Sequence, residues 1–305
     1  MIKKTQKSGF TLIELSLSMV FLAILLLIMA LITTQIIVIY QKGLAIKAVS
    51  STGRELVDDI SRAIAASPTK STSAICSSSV ITTDTARTNC ENNDAFLFIY
   101  QQHNGKARIN NNPNETVVPA HGAFCTGRYS YLWNTGYTLN ENLYPGGQNY
   151  RATLKYKIKN SAGIVEDRTV TDYRLLKIRD QERTVCATHV NGNYSGKNDR
   201  TYNIGLVNYT PEELLTVSED NLAIYDLKIF PPSQHFLSFH SFYSGTFILA
   251  TIPGGVDITG SGDYCKNEPD GLNTDFAYCA INKFNFAMRA TGETNDEEKR
   301  QQKQN

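Results

Sequence analysis

There is no proline in this chain before Pro68, no cysteine before Cys76, and only one charged residue between Phe10 and Tyr40. Each absence excludes something. Without proline, nothing in the first 67 residues forces a helix to kink or stop. The six cysteines (Cys76, Cys90, Cys125, Cys186, Cys265 and Cys279) contain no C-x-x-C pair, so zinc-ribbon and thioredoxin chemistry have no support. Neither basic nor acidic residues are in clear excess. Three of the 30 basic residues, Lys3, Lys4 and Lys7, stand before residue 10, and without them the balance against 29 acidic residues turns slightly negative. That excludes a broadly cationic nucleic-acid binder. No H-E-x-x-H, G-x-S-x-G or Walker pattern occurs, so no enzyme class is indicated.

What is present is one long apolar run. Phe10 to Tyr40 reads FTLIELSLSMVFLAILLLIMALITTQIIVIY, with Glu14 as its single charge. A membrane-spanning helix needs about 20 apolar residues, and the run exceeds that. A secretory signal has a shorter apolar core, roughly 7–15 residues, with its small-residue cleavage site after it. Here the glycine, Gly9, precedes the run. The simplest alternative is a plain amino-terminal anchor with lysines on the cytoplasmic side. Glu14 stands against it, because a carboxylate inside an apolar helix is costly and marks function by default.

Residues 1–9, MIKKTQKSG, followed by Phe10-Thr11-Leu12-Ile13-Glu14-Leu15, resemble the processing site of type IV prepilins and type II secretion pseudopilins. The resemblance implies a leader at 1–9 cut between Gly9 and Phe10, N-methylation of Phe10, and an assembly role for Glu14. It implies the prepilin peptidase/methyltransferase, an inner-membrane assembly platform and other pilin or pseudopilin subunits as partners. Glu14 would pair with the Phe10 ammonium of a neighbouring subunit, an attraction that is strong in low dielectric but offset by desolvation. Many major pilins carry a proline where this chain has Leu31, so the resemblance points to a minor subunit. The stretch Glu55–Ala63 looks like that of J-type pseudopilins and W-type minor pilins.

Periodicity extends the helix. Residues 10–40 form the membrane or assembly half and 41–67 an amphipathic continuation. Ala45, Val49, Leu56, Val57, Ile60 and Ile64 recur on one side, opposed by Lys47, Arg54, Asp58, Ser61 and Arg62. Pro68 stops it.

Residues 68–292 are expected to form a β-rich globular head, giving an α+β, pilin-like fold, with a polar, disordered tail at 293–305. Strands are expected at 95–100, 129–134, 152–159, 173–179, 184–190, 222–230, 235–242, 246–252 and 281–290. A hairpin turn is expected at Tyr243-Ser244-Gly245. A short helix is expected at 211–218, with Thr210 as N-cap and Glu213 completing a capping box.

An even cysteine count confined to the head suggests disulfides formed in an oxidising compartment. The pairing favoured here is Cys76–Cys90, Cys125–Cys186 and Cys265–Cys279, with free buried thiols as the alternative. No cofactor is expected except calcium: Asp257, Thr259, Ser261, Asp263 and Glu268 loosely follow a calcium-loop template, and a glycine-rich hairpin explains the same residues. The five histidines show no metal-ligand spacing, His235 and His240 included. Lys155, Lys157 and Lys159 alternate along one strand face, where a solvated surface is commoner than a DNA or surface-ligand contact.

These residues are compatible with three functions. One is a minor type IV pilus subunit for initiation, tip or adhesion. Another is a J-type pseudopilin of type II secretion. The third is a membrane-anchored periplasmic binding domain that never polymerises. All place the chain in the inner membrane by a single helix, with its head outside the cytoplasm.

Overall fold

A computed structural model describes residues 11–66, 76–77, 98–102, 105–107, 116–126, 128–140, 146–180, 185, 201–215, 221–230, 242–252, 256–257, 264–265 and 279–289. Helix α1, Leu12–Ala65, runs unbroken for 54 residues, about 81 Å at 1.5 Å per residue. No residue within it is a proline, so nothing kinks it. Its first half, through Tyr40, is exposed at every position. From Gln41 the exposure drops, and Val49, Gly53, Leu56, Ile60, Ala63 and Ile64 are buried. Lys47, Arg54, Asp58 and Arg62 stay exposed, as the amphipathic pattern requires.

The described part of the head is mostly strand, so the chain is broadly α+β. The central sheet orders β1 (Cys76–Ser77), β2 (Phe98–Gln102), β5 (His121–Cys125), β6 (Tyr129–Asn134), β9 (Leu175–Arg179) and β11 (Glu212–Glu213). All neighbours are antiparallel except β1 and β2. A second sheet orders β10 (Thr201–Val207), β7 (Thr153–Lys159) and β8 (Val165–Val170). A third is a meander of β12 (Leu222–Phe230), β13 (Phe242–Thr251) and β16 (Ile281–Arg289). Two small ribbons pair β3 (Gly105–Ala107) with β4 (Thr116–Val118), and β14 (Val256–Asp257) with β15 (Tyr264–Cys265).

The pleat sorts the central sheet's residues between two cores. Phe124, Tyr131, Trp133 and Leu175 face α1 and the third sheet, joining Leu56, Ile60, Leu227, Phe247 and Phe286. Ala123, Cys125, Leu132, Leu176 and Ile178 face the second sheet, against Leu154, Tyr156, Tyr202 and Ile204. A third cluster lies on the meander's other side, where the short helix α2 (Gly136–Leu139) brings Tyr137 edge-on to Tyr225, ring centroids 5.1 Å apart.

The helix expected at 211–218 does not form in its described part. Glu212 and Glu213 pair with Lys177 and Leu176 as strand β11, and Glu213 Oε1 accepts the Arg174 backbone N–H at 2.9 Å. The sheet edge captured the carboxylate that a capping box would have used, so tertiary pairing overrode a local signal. The turn at Tyr243-Ser244-Gly245 is also corrected. These residues lie inside β13, with Gly245 opposite Ile229 and Phe286. A Cβ on Gly245 would come within 2.4 Å of the Phe286 ring, so the glycine serves packing there and not chain reversal. Strands β1, β3, β4, β5, β8, β10, β14 and β15 lie outside the expected set. The strand expected at 184–190 lies outside the described residues save Val185, which is helical, and that at 235–242 does so save Phe242.

Gly53 plays a similar part on the helix, since a Cβ there would lie 2.0 Å from the Phe284 ring. Gly53→Ala is therefore expected to destabilise the head by about 1–3 kcal/mol through overpacking, although alanine is the better helix former. Gly43, with open space around its Cβ position, is the control. Gly43→Ala should stabilise by up to about 1 kcal/mol. Urea midpoints of the two variants moving in the same direction would contradict this packing account.

Burial pushes the Tyr131, Tyr173 and Tyr225 phenols well above their ordinary value, with the nearby Asp59 carboxylate adding to the effect at Tyr131. The folded chain thus keeps protons that the unfolded chain releases above about pH 10. Stability contributed this way is complete below about pH 10 and falls as pH rises past it. Urea midpoints at pH values on either side of about 10 should show that drop, and variants with these tyrosines changed to Phe should show less of it.

Candidate functional site

Among the described residues the most unusual surface is the bare half of α1. Its side chains are apolar and open, from Leu12 at 87% exposed to Leu25 at 36%. Among the described residues this is the one helix long and apolar enough to cross a membrane. Thr11 caps its start, with a reciprocal box to Glu14. A Glu14 carboxylate oxygen, Oε2, accepts the Thr11 backbone N–H and hydroxyl, each at 3.0 Å, while the Glu14 N–H donates to Thr11 Oγ1 at 3.4 Å. An apolar helix start therefore has backbone donors met and one carboxylate set in its first turn.

The hydroxyls further along are also satisfied on their own helix. Ser16 donates to the Ile13 carbonyl at 2.9 Å, Ser18 to Leu15, Thr33 to Met29 and Thr34 to Leu31, each at 2.8 Å. Such back-bonding lets Ser and Thr sit in hydrocarbon without an outside partner.

A polar clamp holds the other half of α1 to the head. Asp59 accepts the Tyr131 phenol at 2.8 Å on Oδ2 and the Lys177 ammonium at 2.5 Å on Oδ1. Lys177 also lies over the Tyr129 ring, 4.6 Å from its centroid. The Lys177–Asp59 pair is mostly covered, with side-chain exposure of 16% and 24%. Its members come from the helix, β6 and β9, far apart in the chain, and sequence reasoning does not bring them together. Asp59 stands out there only as one residue of a helical run. The one available signal is an acid flanking the apolar stripe.

The sequence-derived site residues are placed unevenly. Gly9 and Phe10 lie outside the described residues, so the structure describes Glu14 but not the expected processing residues. Asp257 sits on β14, paired with Tyr264 of β15. Thr259, Ser261, Asp263 and Glu268, the other calcium candidates, lie outside the described residues. Among the described ones no group of three acidic, His or Cys side chains could hold a metal. Lys155, Lys157 and Lys159 are all exposed on one face of β7, with Lys157 beside Asp167 at 3.5 Å. His121 is buried, its Nδ1 3.1 Å from the Tyr202 hydroxyl. The other four histidines lie outside the described residues.

Cys125 and Cys279 are disulfide-bonded, and no described cysteine is free. Cys90 and Cys186 lie outside the described residues, as do the side chains of Cys76 and Cys265, so the pairing is not assigned. Ser130 donates toward both Cys125 Sγ (3.1 Å) and Asp180 Oδ2 (2.8 Å).

No protein-family model matches the chain, and neither a curated protein nor a solved structure does. The features of the chain itself therefore carry the functional reading: a bare apolar half-helix, a carboxylate at its start, and a rigid join to a β-rich head.

Removing the Lys177 ammonium leaves Asp59 partly buried without its counter-charge. Lys177→Met should cost about 1–3 kcal/mol, and Asp59→Asn with Lys177→Met together should cost less than the sum of the two singles. Thermal or urea unfolding of the four-protein cycle measures the coupling. A coupling of zero would mean that the clamp contributes nothing to the join.

Proposed function

We propose that this chain is a minor structural subunit of a type IV pilus, with a role in initiation or at the tip. It is cut between Gly9 and Phe10, methylated at Phe10, and assembled through α1. The observation that carries this reading is the division of one continuous helix: the apolar run stands bare from Leu12 to Tyr40, and one face of the remainder, from Val49 onward, is packed into the head. A plain anchor needs no rigid extension of that helix into the head, nor a carboxylate in its first turn.

The mechanism rests on a change of solvent. Before assembly the bare half lies in the inner membrane with the head outside the cytoplasm. In the filament, neighbouring helices replace lipid. Lipid tails are as apolar as leucine, so the exchange offers little hydrophobic gain, and close packing plus polar contacts must direct it. After cleavage, Phe10 presents an ammonium next to the capped first turn. Glu14 can then leave its box with Thr11 and pair with the ammonium of an adjacent subunit. A copy at the wrong height leaves a carboxylate unpaired in an apolar bundle, which sets the register.

A pseudopilin of type II secretion shares every one of these features, so the test has to separate the two. Mass spectrometry of amino-terminal peptides in sheared filaments and in cell envelopes does this. A peptide beginning at methylated Phe10 in the sheared fraction is expected. The same peptide confined to envelopes would favour the secretion machine, and an intact Met1 leader in both fractions would overturn the processed-subunit reading. Glu14→Ala should still be cleaved but should vanish from the sheared fraction.

A further inference from the structure

Edge strands carry unpaired backbone donors and acceptors, and proteins blunt them with short length, bulges or a covering helix. Most sheet edges among the described residues are blunted in one of these ways. β1, β11 and the two ribbons offer only two or three residues per strand. β10 is broken by a register shift between Asn203 and Leu206, where Gly205 takes φ 70°, and β12 by one between Ile224 and Asp226. α1 lies along β16, with the Phe284 ring against Gly53. β8 differs from all of these. It has six residues, no proline and an unshifted register with β7, and no described strand pairs with its other side.

Its side chains are open as well. Val165, Asp167, Arg168 and Thr169 are exposed, and Glu166 and Val170 are half-buried. Outside α1, the large apolar side chains exposed among the described residues are Ile164, Val165, Leu206 and Tyr209, and the first two stand at the start of this strand. On one strand face Arg168 pairs with Glu166 at 2.5 Å. On the other, Lys157 of β7 lies 3.5 Å from Asp167.

The strand is complementary to itself. Outward from Asp167, Glu166 and Arg168 are opposite in charge, and Ile164 and Val170 are both apolar. An antiparallel neighbour related by a two-fold axis at Asp167 places Glu166 opposite Arg168 of the second copy, Arg168 opposite its Glu166, and Ile164 opposite its Val170. With the ion pair inside each strand, this forms a square in which adjacent charges always differ in sign. The two Asp167 carboxylates meet at the axis on the other face, each beside its own Lys157, which offsets their repulsion. Moving the axis by one residue sets Arg168 against Arg168 or Glu166 against Glu166, and both cross-strand pairs are lost. A second copy supplies the reciprocity by symmetry.

We propose that the β8 edge is a self-association surface, on which two copies of this chain pair antiparallel through residues 164–170 about Asp167 and join their second sheets into one. Backbone hydrogen bonds supply the attraction, and the charge square sets the register. One short strand per copy makes a small interface, so the contact is weak in dilute solution and gains strength where copies are held close together. It is independent of how the amino terminus is processed and goes beyond the filament-subunit reading.

The test uses the full-length protein in detergent micelles under mild oxidation, read on non-reducing gels. Residues directly opposite in an antiparallel pair have Cα atoms about 4.5–5.5 Å apart, within disulfide reach. Asp167→Cys should therefore cross-link to itself. Thr169→Cys should not, because its two copies lie about 14 Å apart along the strands, but it should cross-link to Val165→Cys when the two proteins are mixed. In the Asp167→Cys background, Arg168→Glu should cut the dimer yield about tenfold, and adding Glu166→Arg should restore it. Equal cross-linking at 167 and 169 would mean random collision and overturn the proposal. A charge reversal that the swap fails to rescue would do the same. So would no cross-linking at 167, the result expected if the edge holds an extended segment of another protein.

Discussion

A helix of 54 residues cannot be held by its own hydrogen bonds in water, and burial of one face of its outer half against the head supplies what they lack. Val49, Leu56, Ile60 and Ile64 enter the same core as Phe124 and Trp133 of the central sheet and Phe247 and Phe286 of the meander. The helix is thereby wedged between two sheets, and each sheet needs the helix to complete its apolar face. Close approach at Gly53 lets the Phe284 ring lie against the helix backbone. The Asp59–Lys177–Tyr131 clamp fixes what apolar packing leaves loose, because its hydrogen bonds have direction.

That rigid join matters for the proposed function. A filament subunit carries load from its head to its helix, and a flexible hinge at the boundary would uncouple them. The structure puts no proline there, and the helix passes from bare to buried within the turns between Tyr40 and Val49.

Much of the helix is legible in the sequence because its determinants are local. Apolar run, spacing and the stop at Pro68 mark residues 10–67, and the described helix is Leu12–Ala65. Alternation likewise places β7 and β16, whose Tyr156, Phe286 and Met288 are buried while Lys155, Lys157 and Asn285 are exposed. The departures have a common cause. Thr210, Pro211 and Glu213 spell a helix start, yet Glu213 found the Arg174 backbone and the edge of β9. Tyr243-Ser244-Gly245 spells a turn, yet Gly245 is pressed under Phe286 between two strands. In each case a weak short-range preference met a sheet that offered more.

Local pattern is enough to specify the long helix, the apolar character of its first half, the carboxylate at its start and the β-rich nature of the head. All are set by periodicity and composition within a few turns of chain. Folding in three dimensions selects which strands share a sheet, which glycines clear space for rings, and that Asp59 meets Tyr131 and Lys177 across 72 and 118 residues. Those contacts join segments distant in the chain. No local pattern encodes them, because the free energy that selects them belongs to the packed core as a whole.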